Sequence, residues 1–299
     1  MLFRSFESNY RVGIVASSDG HKGRPGAEYP GDSQFGSFGG LTCHLLPKLD
    51  RDHFFPAFRN RRHYATTGAR IFMDVSAAVG EMKLPIGEIF ETNAKTASLN
   101  YEVIGTAPIE RIDIFDGLDL IETVRPWAGS GAMSRVRITC AGQHYRGRGR
   151  LVKWDAIAEI SKGKILRIAP INFWNPNRQP YLENDQTVKW KTVTTGGASS
   201  VDVWLDDNAL AGSIKVETNY GKLECDVMKL DEEGKIEAGG GMDIRLQMAK
   251  LPENLNQKSY SGCSEFDVGS GQERRLYIRV TQEDGHQAWS SPIYIIARG

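Results

Sequence analysis

The chain has few cysteines, no excess of charge of either sign and no long apolar run. Its four cysteines, Cys43, Cys140, Cys225 and Cys263, are far apart and form no Cys-x-x-Cys pair. That spacing argues against a zinc ribbon or a dense disulfide framework and for free thiols. Lysine and arginine number 37 against 37 aspartates and glutamates, so no field draws the chain to nucleic acid or to an anionic membrane. No apolar stretch reaches the length of a membrane span. The opening Met1-Leu-Phe-Arg-Ser-Phe-Glu7 lacks the apolar centre of a signal peptide, which leaves the cytoplasm as the default compartment. Histidine is scarce too: the six lie at 21, 44, 53, 63, 144 and 286 and include no His-x-His pair.

What is present is material for a sizeable core. The 299 residues are 40% apolar with six tryptophans, a length that suits two domains or one large domain carrying an insertion. Near the N-terminus, Val12-Gly-Ile-Val-Ala16 is a continuous apolar run of the kind expected of a parallel strand covered on both faces. It leads into Asp19-Gly-His21, where a carboxylate and an imidazole two residues apart can share a divalent cation. A catalytic metal needs at least three protein ligands and an open position, so two are only a corner of a site. Residues 20–40 are rich in glycine, proline and small polar residues and read as a long loop, either a lid or substrate loop or a plain surface excursion. A helix is expected from about Asp50 to about Tyr64, with Phe54, Phe55 and Phe58 on one face and Arg59, Arg61 and Arg62 toward its C-terminal end.

Beyond residue 70 the helical signal nearly vanishes. The segments 101–104, 109–115, 120–124, 134–140, 188–193, 201–205, 213–218, 223–228 and 243–248 alternate, or nearly alternate, apolar with polar residues. Asp116-Gly-Leu-Asp119 reads as a hairpin turn. Segments 274–281 and 287–296 form a second hairpin around Glu283-Asp-Gly285, with Pro292 suited to a strand start or an edge. Many short strands separated by turns indicate antiparallel β-sandwiches. The division expected is a short α/β region over 1–69, a sandwich over 70–171 with 271–299, and an inserted β unit over 172–270.

Four phrases together carry a family resemblance: Ser17-Ser-Asp-Gly-His-Lys-Gly-Arg-Pro-Gly26, Gly39-Gly-Leu-Thr42, Arg61-Arg-His-Tyr-Ala-Thr-Thr-Gly68 and Ala288-Trp-Ser-Ser-Pro-Ile293. They resemble, in the same order, the C-terminal portion of a bacterial PHP-like family, a superfamily named for its polymerase and histidinol-phosphatase members. This branch is catalogued as a domain of unknown function. The resemblance covers most of the chain. It implies a mainly β chain of antiparallel sandwich regions preceded by a short α/β remnant of a PHP-type barrel, and a metal-dependent phosphoesterase-like activity in the complete protein. By the same resemblance Asp19 and His21 match the last metal-binding motif of such barrels. The family's His-x-His pair and intermediate ligands have no counterpart here, so the chain would start in the barrel's last strand. Divalent ions such as Zn, Mn or Fe are implied for the complete protein, with weak or absent binding by this chain. It would then be inactive alone.

Other residues carry weaker suggestions. Arg24 and the cluster Arg59, Arg61, Arg62 could hold a phosphate bidentately, although a solvated helix end is the stronger reading. His44, His53 and His63 could add ligands, but packing or capping suits their spacing better. Tyr145-Arg-Gly-Arg-Gly-Arg150 has the composition of an RNA-binding patch and reads better as a charged hairpin tip. Trp154, Trp174, Trp190 and Trp204 could stack on sugars in a glycan-binding accessory module, against a default of core filling between sheets. A buried-type strand at 12–16 without neighbours of its kind has open edges, which recruit a homo-oligomer or a second chain.

Overall fold

Period-two alternation dominates the chain, and it becomes sheets. Successive strand side chains point to opposite faces. In Thr96–Ile104, Ala97, Leu99, Tyr101 and Val103 are accordingly buried while the residues between them are not. The computed structural model describes residues 2–18, 39–129, 131–147, 149–173, 175, 177–269 and 273–298. It is mainly β and built from several antiparallel sheets. Two compact units result, Met1–Ala128 with Leu255–Gly299, and Gly129–Asn254.

These bounds differ from an insert at 172–270, and long-range pairing is the reason. Arg135–Gln143 lies between Ala198–Leu205 and Met242–Leu251, and Val152–Ile160 lies between Thr187–Thr194 and Ser213–Thr218. Both strands therefore belong to the second unit. Ser259–Asp267 pairs with Thr96–Ile104 and belongs to the first.

In the first unit Glu273–Gln282 is the hub of the larger sheet. One of its edges pairs with Ile109–Asp116, and Gln287–Ser290 and Ile293–Ala297 share the other. His63–Thr66 extends the sheet beyond Gln287–Ser290, and Leu41–His44 extends it further. Ile293–Ala297 also runs parallel to Ile89–Thr92. A smaller sheet is ordered Ser259–Asp267, Thr96–Ile104, Phe72–Val79, Met82–Pro85. Met73, Val75 and Leu99 from it share one core with Ile112, Ile278 and Ile295 from the larger sheet.

The second unit has two five-stranded sheets with a common core containing Ile138, Trp154, Trp190 and Val203. Arg135 and Arg137 alternate with apolar residues, as a solvent-facing set would, yet they are only 1% and 8% exposed. Across the strand pair, Arg137 grips Asp202 with Nε 2.7 Å from Oδ1 and Nη2 2.9 Å from Oδ2, while Arg135 Nη1 lies 3.2 Å from Oδ2. The guanidinium of Arg135 also sits 5.1 Å from the Trp204 ring, and that of Arg167 3.7 Å.

The α/β remnant expected over 1–69 is not supported. Residues 11–18 form no strand, and Leu41–His44 and His63–Thr66 are instead antiparallel strands of the larger sheet. The expected helix is shorter, Arg51–Arg59, with the Asp50 side chain accepting from His53 N at its start. It ends early because Arg61 turns left-handed (φ 59°) and the chain then enters the sheet at His63.

Removing the carboxylate of Asp202 would take a counter-charge from two buried guanidinium groups. Asp202→Ala is expected to destabilise the second unit by about 3–5 kcal/mol, the range for breaking one side of a buried ion pair, measured by chemical denaturation.

Candidate functional site

The segment that leads toward Asp19 is held in an unusual way. Residues 12, 14 and 16 each have N–H and C=O engaged, as one edge of a strand would, but their partners are side chains. Tyr294 donates its hydroxyl to Val12 O (2.8 Å) and accepts from Val12 N (2.7 Å). Ser291 Oγ accepts from Ile14 N (3.0 Å), and His63 Nδ1 lies 3.0 Å from Ile14 O. Thr42 Oγ1 accepts from Ala16 N (3.0 Å) and donates to Ala16 O (2.7 Å). Backbone is thus satisfied by a row of hydroxyls and one imidazole.

Two glycines permit this closeness. A Cβ on Gly13 would lie 2.6 Å from His63 Cε1, and one on Gly40 would lie 2.8 Å from Ala16 Cβ and 3.1 Å from Ser17 O. The chain leaving at Ser17 therefore lies against the chain returning at Gly40. Val12 and Ile14 pack on the small cluster of Phe6, Tyr277 and Tyr294. Burial pushes the Tyr294 phenol up to about 12, so it remains a neutral donor and acceptor at physiological pH.

Behind the segment is a ring cluster. His44 and His63 face each other across their strands with ring centroids 5.5 Å apart, Phe54 lies 4.7 Å from His44, and Phe58 stacks 5.5 Å from His63. Burial holds the His44 imidazole below its ordinary range, and the neighbouring His63 adds to the effect. Burial also lowers His63, opposed by hydrogen bonding to the carbonyls of Ile14 and Phe58 and reinforced by the Arg61 charge.

Asp19, His21 and Arg24, the residues expected to bind metal and substrate, lie outside the described residues. The described histidines do not gather around a cation. His63 holds Ile14, His53 contacts Asp50 at the helix start (2.5 Å), His144 Nε2 lies 3.2 Å from Tyr220 Oη, and His286 Nδ1 lies 3.0 Å from Thr67 Oγ1. Among the described residues no three His, Cys, Asp or Glu side chains come together as a ligand set, so those residues alone do not fit a metal centre. Arg61 donates to Gly87 O (3.0 Å) and Arg62 to Ile86 O (2.5 Å), which ties two of the three clustered arginines to a turn. Trp154 and Trp190 are 2% exposed and fill the core, whereas Trp204 lies under Arg167. They make no exposed aromatic platform, and Trp174 lies outside the described residues. The second unit does have a concavity of about 710 Å³ lined by Asp155, Ile157, Arg178, Tyr181, Lys189 and Lys191. Lys189 and Lys191 pair there with Glu183 (2.6 Å) and Asp155 (2.7 Å).

No protein-family model, curated protein or solved structure matches the chain.

Two measurements test the clamp. Tyr294→Phe removes both partners of Val12 and is expected to cost about 1–3 kcal/mol, with faster amide exchange at Val12 than at strand positions of the same sheet. Because His44 and His63 resist protonation when folded, the unfolded chain takes up protons first as pH falls. Stability is therefore fully present above the unfolded histidine value of about 6.5 and declines as pH drops below it. Thermal melts between pH 7.5 and 5 should show that decline, and His44→Phe, which keeps a ring in place, should flatten it.

Proposed function

We propose that this chain is the C-terminal portion of a PHP-like, metal-dependent phosphoesterase-like hydrolase. It contributes Asp19 and His21 to a metal centre whose other ligands come from outside it, and it is catalytically silent alone. One observation carries this reading. Three of the four phrases that resemble the family, distant in sequence, converge on the segment that precedes the fourth. Thr42 holds Ala16, Arg61 and His63 underlie Gly13, and Ser291 holds Ile14. Residues that recur together for a shared purpose are expected to meet in space, and these meet at the base of the stretch bearing Asp19 and His21. In such hydrolases divalent ions activate water and neutralise charge developing on the phosphate ester. Arg24, in the same stretch, is suited to a phosphate oxygen.

A second reading, a non-catalytic β-sandwich accessory or ligand-binding module, is favoured by the concavity of the second unit, which Arg178 and Tyr181 line. Metal analysis and a generic phosphatase assay separate the readings. The hydrolase-fragment reading expects weak binding of Zn or Mn that falls further in Asp19→Ala and His21→Ala, without turnover. Metal affinity indifferent to both substitutions would defeat it and leave the accessory module. Tight stoichiometric metal with turnover sensitive to Asp19→Ala would instead overturn the silence of the isolated chain.

A further inference from the structure

The clamp on residues 12–16 uses only one edge of an extended segment. In a strand, the N–H and C=O of residues 12, 14 and 16 point to one side and those of 13 and 15 to the other. The first set is engaged by Tyr294, Ser291, His63 and Thr42. Neither N–H nor C=O of Gly13 or Val15 has a hydrogen-bond partner among the described residues. Val15 is 55% exposed, so its surroundings are open to a visitor.

An open row of amides and carbonyls at strand spacing is matched by one kind of partner, another extended backbone. We propose that the partner is a second copy of this chain, added antiparallel through residues 13 and 15. A two-fold axis at Ile14 sets Gly13 opposite Val15 of the copy and Val15 opposite Gly13. Each pair exchanges two hydrogen bonds, and every open group in both copies is used. This self-complementarity is the isologous contact that favours closed dimers. The exposed Val15 meets a glycine, and the nearest charge on the segment, Arg11, is bound to Glu273 at 2.8 Å. The formal net charge of the whole chain is +0, so two copies do not repel at long range. This inference rests on the edge of residues 13 and 15 and is independent of the metal-centre reading.

Sedimentation velocity on the full chain, from about 10 µM to about 1 mM, reads the equilibrium directly. A concentration-dependent dimer is expected. Val15→Pro removes an N–H that has no partner within the described residues. It should weaken dimerisation at least about tenfold while leaving far-UV circular dichroism and melting temperature unchanged, since two of four intermolecular bonds are lost. Val15→Lys keeps the N–H but sets a charge at the pairing edge, and it should act in the same direction even if the proline variant fails to fold. Amide exchange supplies a second readout: Val12, Ile14 and Ala16 should be protected at every concentration, and Gly13 and Val15 only as the dimer forms. A monomer throughout the range overturns the proposal. So does a dimer indifferent to both substitutions, or protection of Gly13 and Val15 that does not change with concentration, which would mean the edge is covered within the chain or by another polypeptide.

Discussion

A backbone amide or carbonyl that leaves water has to find a partner, at a cost of about 1–3 kcal/mol for each that does not. That requirement organises nearly all of this molecule. For the strands the partner is another strand, in ladders that are almost all antiparallel. For residues 12–16 the partners are Tyr294, Ser291, His63 and Thr42. A hydroxyl can replace a neighbouring strand because it both donates and accepts. Tyr294 and Thr42 each do both, to one residue apiece. Helix Arg51–Arg59 closes over the same place, its Phe54 and Phe58 rings set against His44 and His63. The N-terminal segment, the last two strands at one edge of the larger sheet and the helix are thereby one packed assembly.

Charge is handled in two distinct regimes. On the outer face of the second unit, pairs such as Lys191 with Asp155 stand in water, where an ion pair contributes about 0–1 kcal/mol. Asp202, 1% exposed between Arg135 and Arg137, is different, because removing it would take a counter-charge from two buried guanidinium groups. The sheet containing Arg135–Gln143 and Ala198–Leu205 is thus tied by an ionic bond on one face and by apolar packing on the other.

Much of this was legible in the sequence. Alternation marked many of the strands beyond residue 100, though not Val152–Ile160 or Ser259–Asp267, and Asp116-Gly-Leu-Asp119 turns through a left-handed Gly117 (φ 61°) as a hairpin requires. Three things were not legible, each for a physical reason. Val12-Gly-Ile-Val-Ala16 has the composition of a buried parallel strand whichever atoms satisfy its backbone; the signal against that reading is Gly13, needed because His63 lies where a side chain would be. The bounds of the inserted unit depend on which distant strands pair, and Arg135–Gln143 carries no local mark of its partners. Arg135 and Arg137 sit at alternate positions, and alternation alone reads them as wet. Of the candidate site, Thr42, His63 and Ser291 fall within phrases already notable in the sequence. Tyr294, inside Ile-Tyr-Ile-Ile, reads as core filling and gives no hint that its hydroxyl grips Val12.

The position of Glu273–Gln282 at the centre of the larger sheet has a consequence for biosynthesis. A ribosome delivers Gly129–Asn254 as an unbroken length that contains both of its sheets. The first unit, begun earlier, must wait for the strands from Glu273 to Ala297, around which Ile109–Asp116, Ile89–Thr92 and His63–Thr66 are arranged. Until those residues emerge, Ile109–Asp116 lacks the strand that pairs with one of its edges. The nascent chain is then most exposed to aggregation in its first unit.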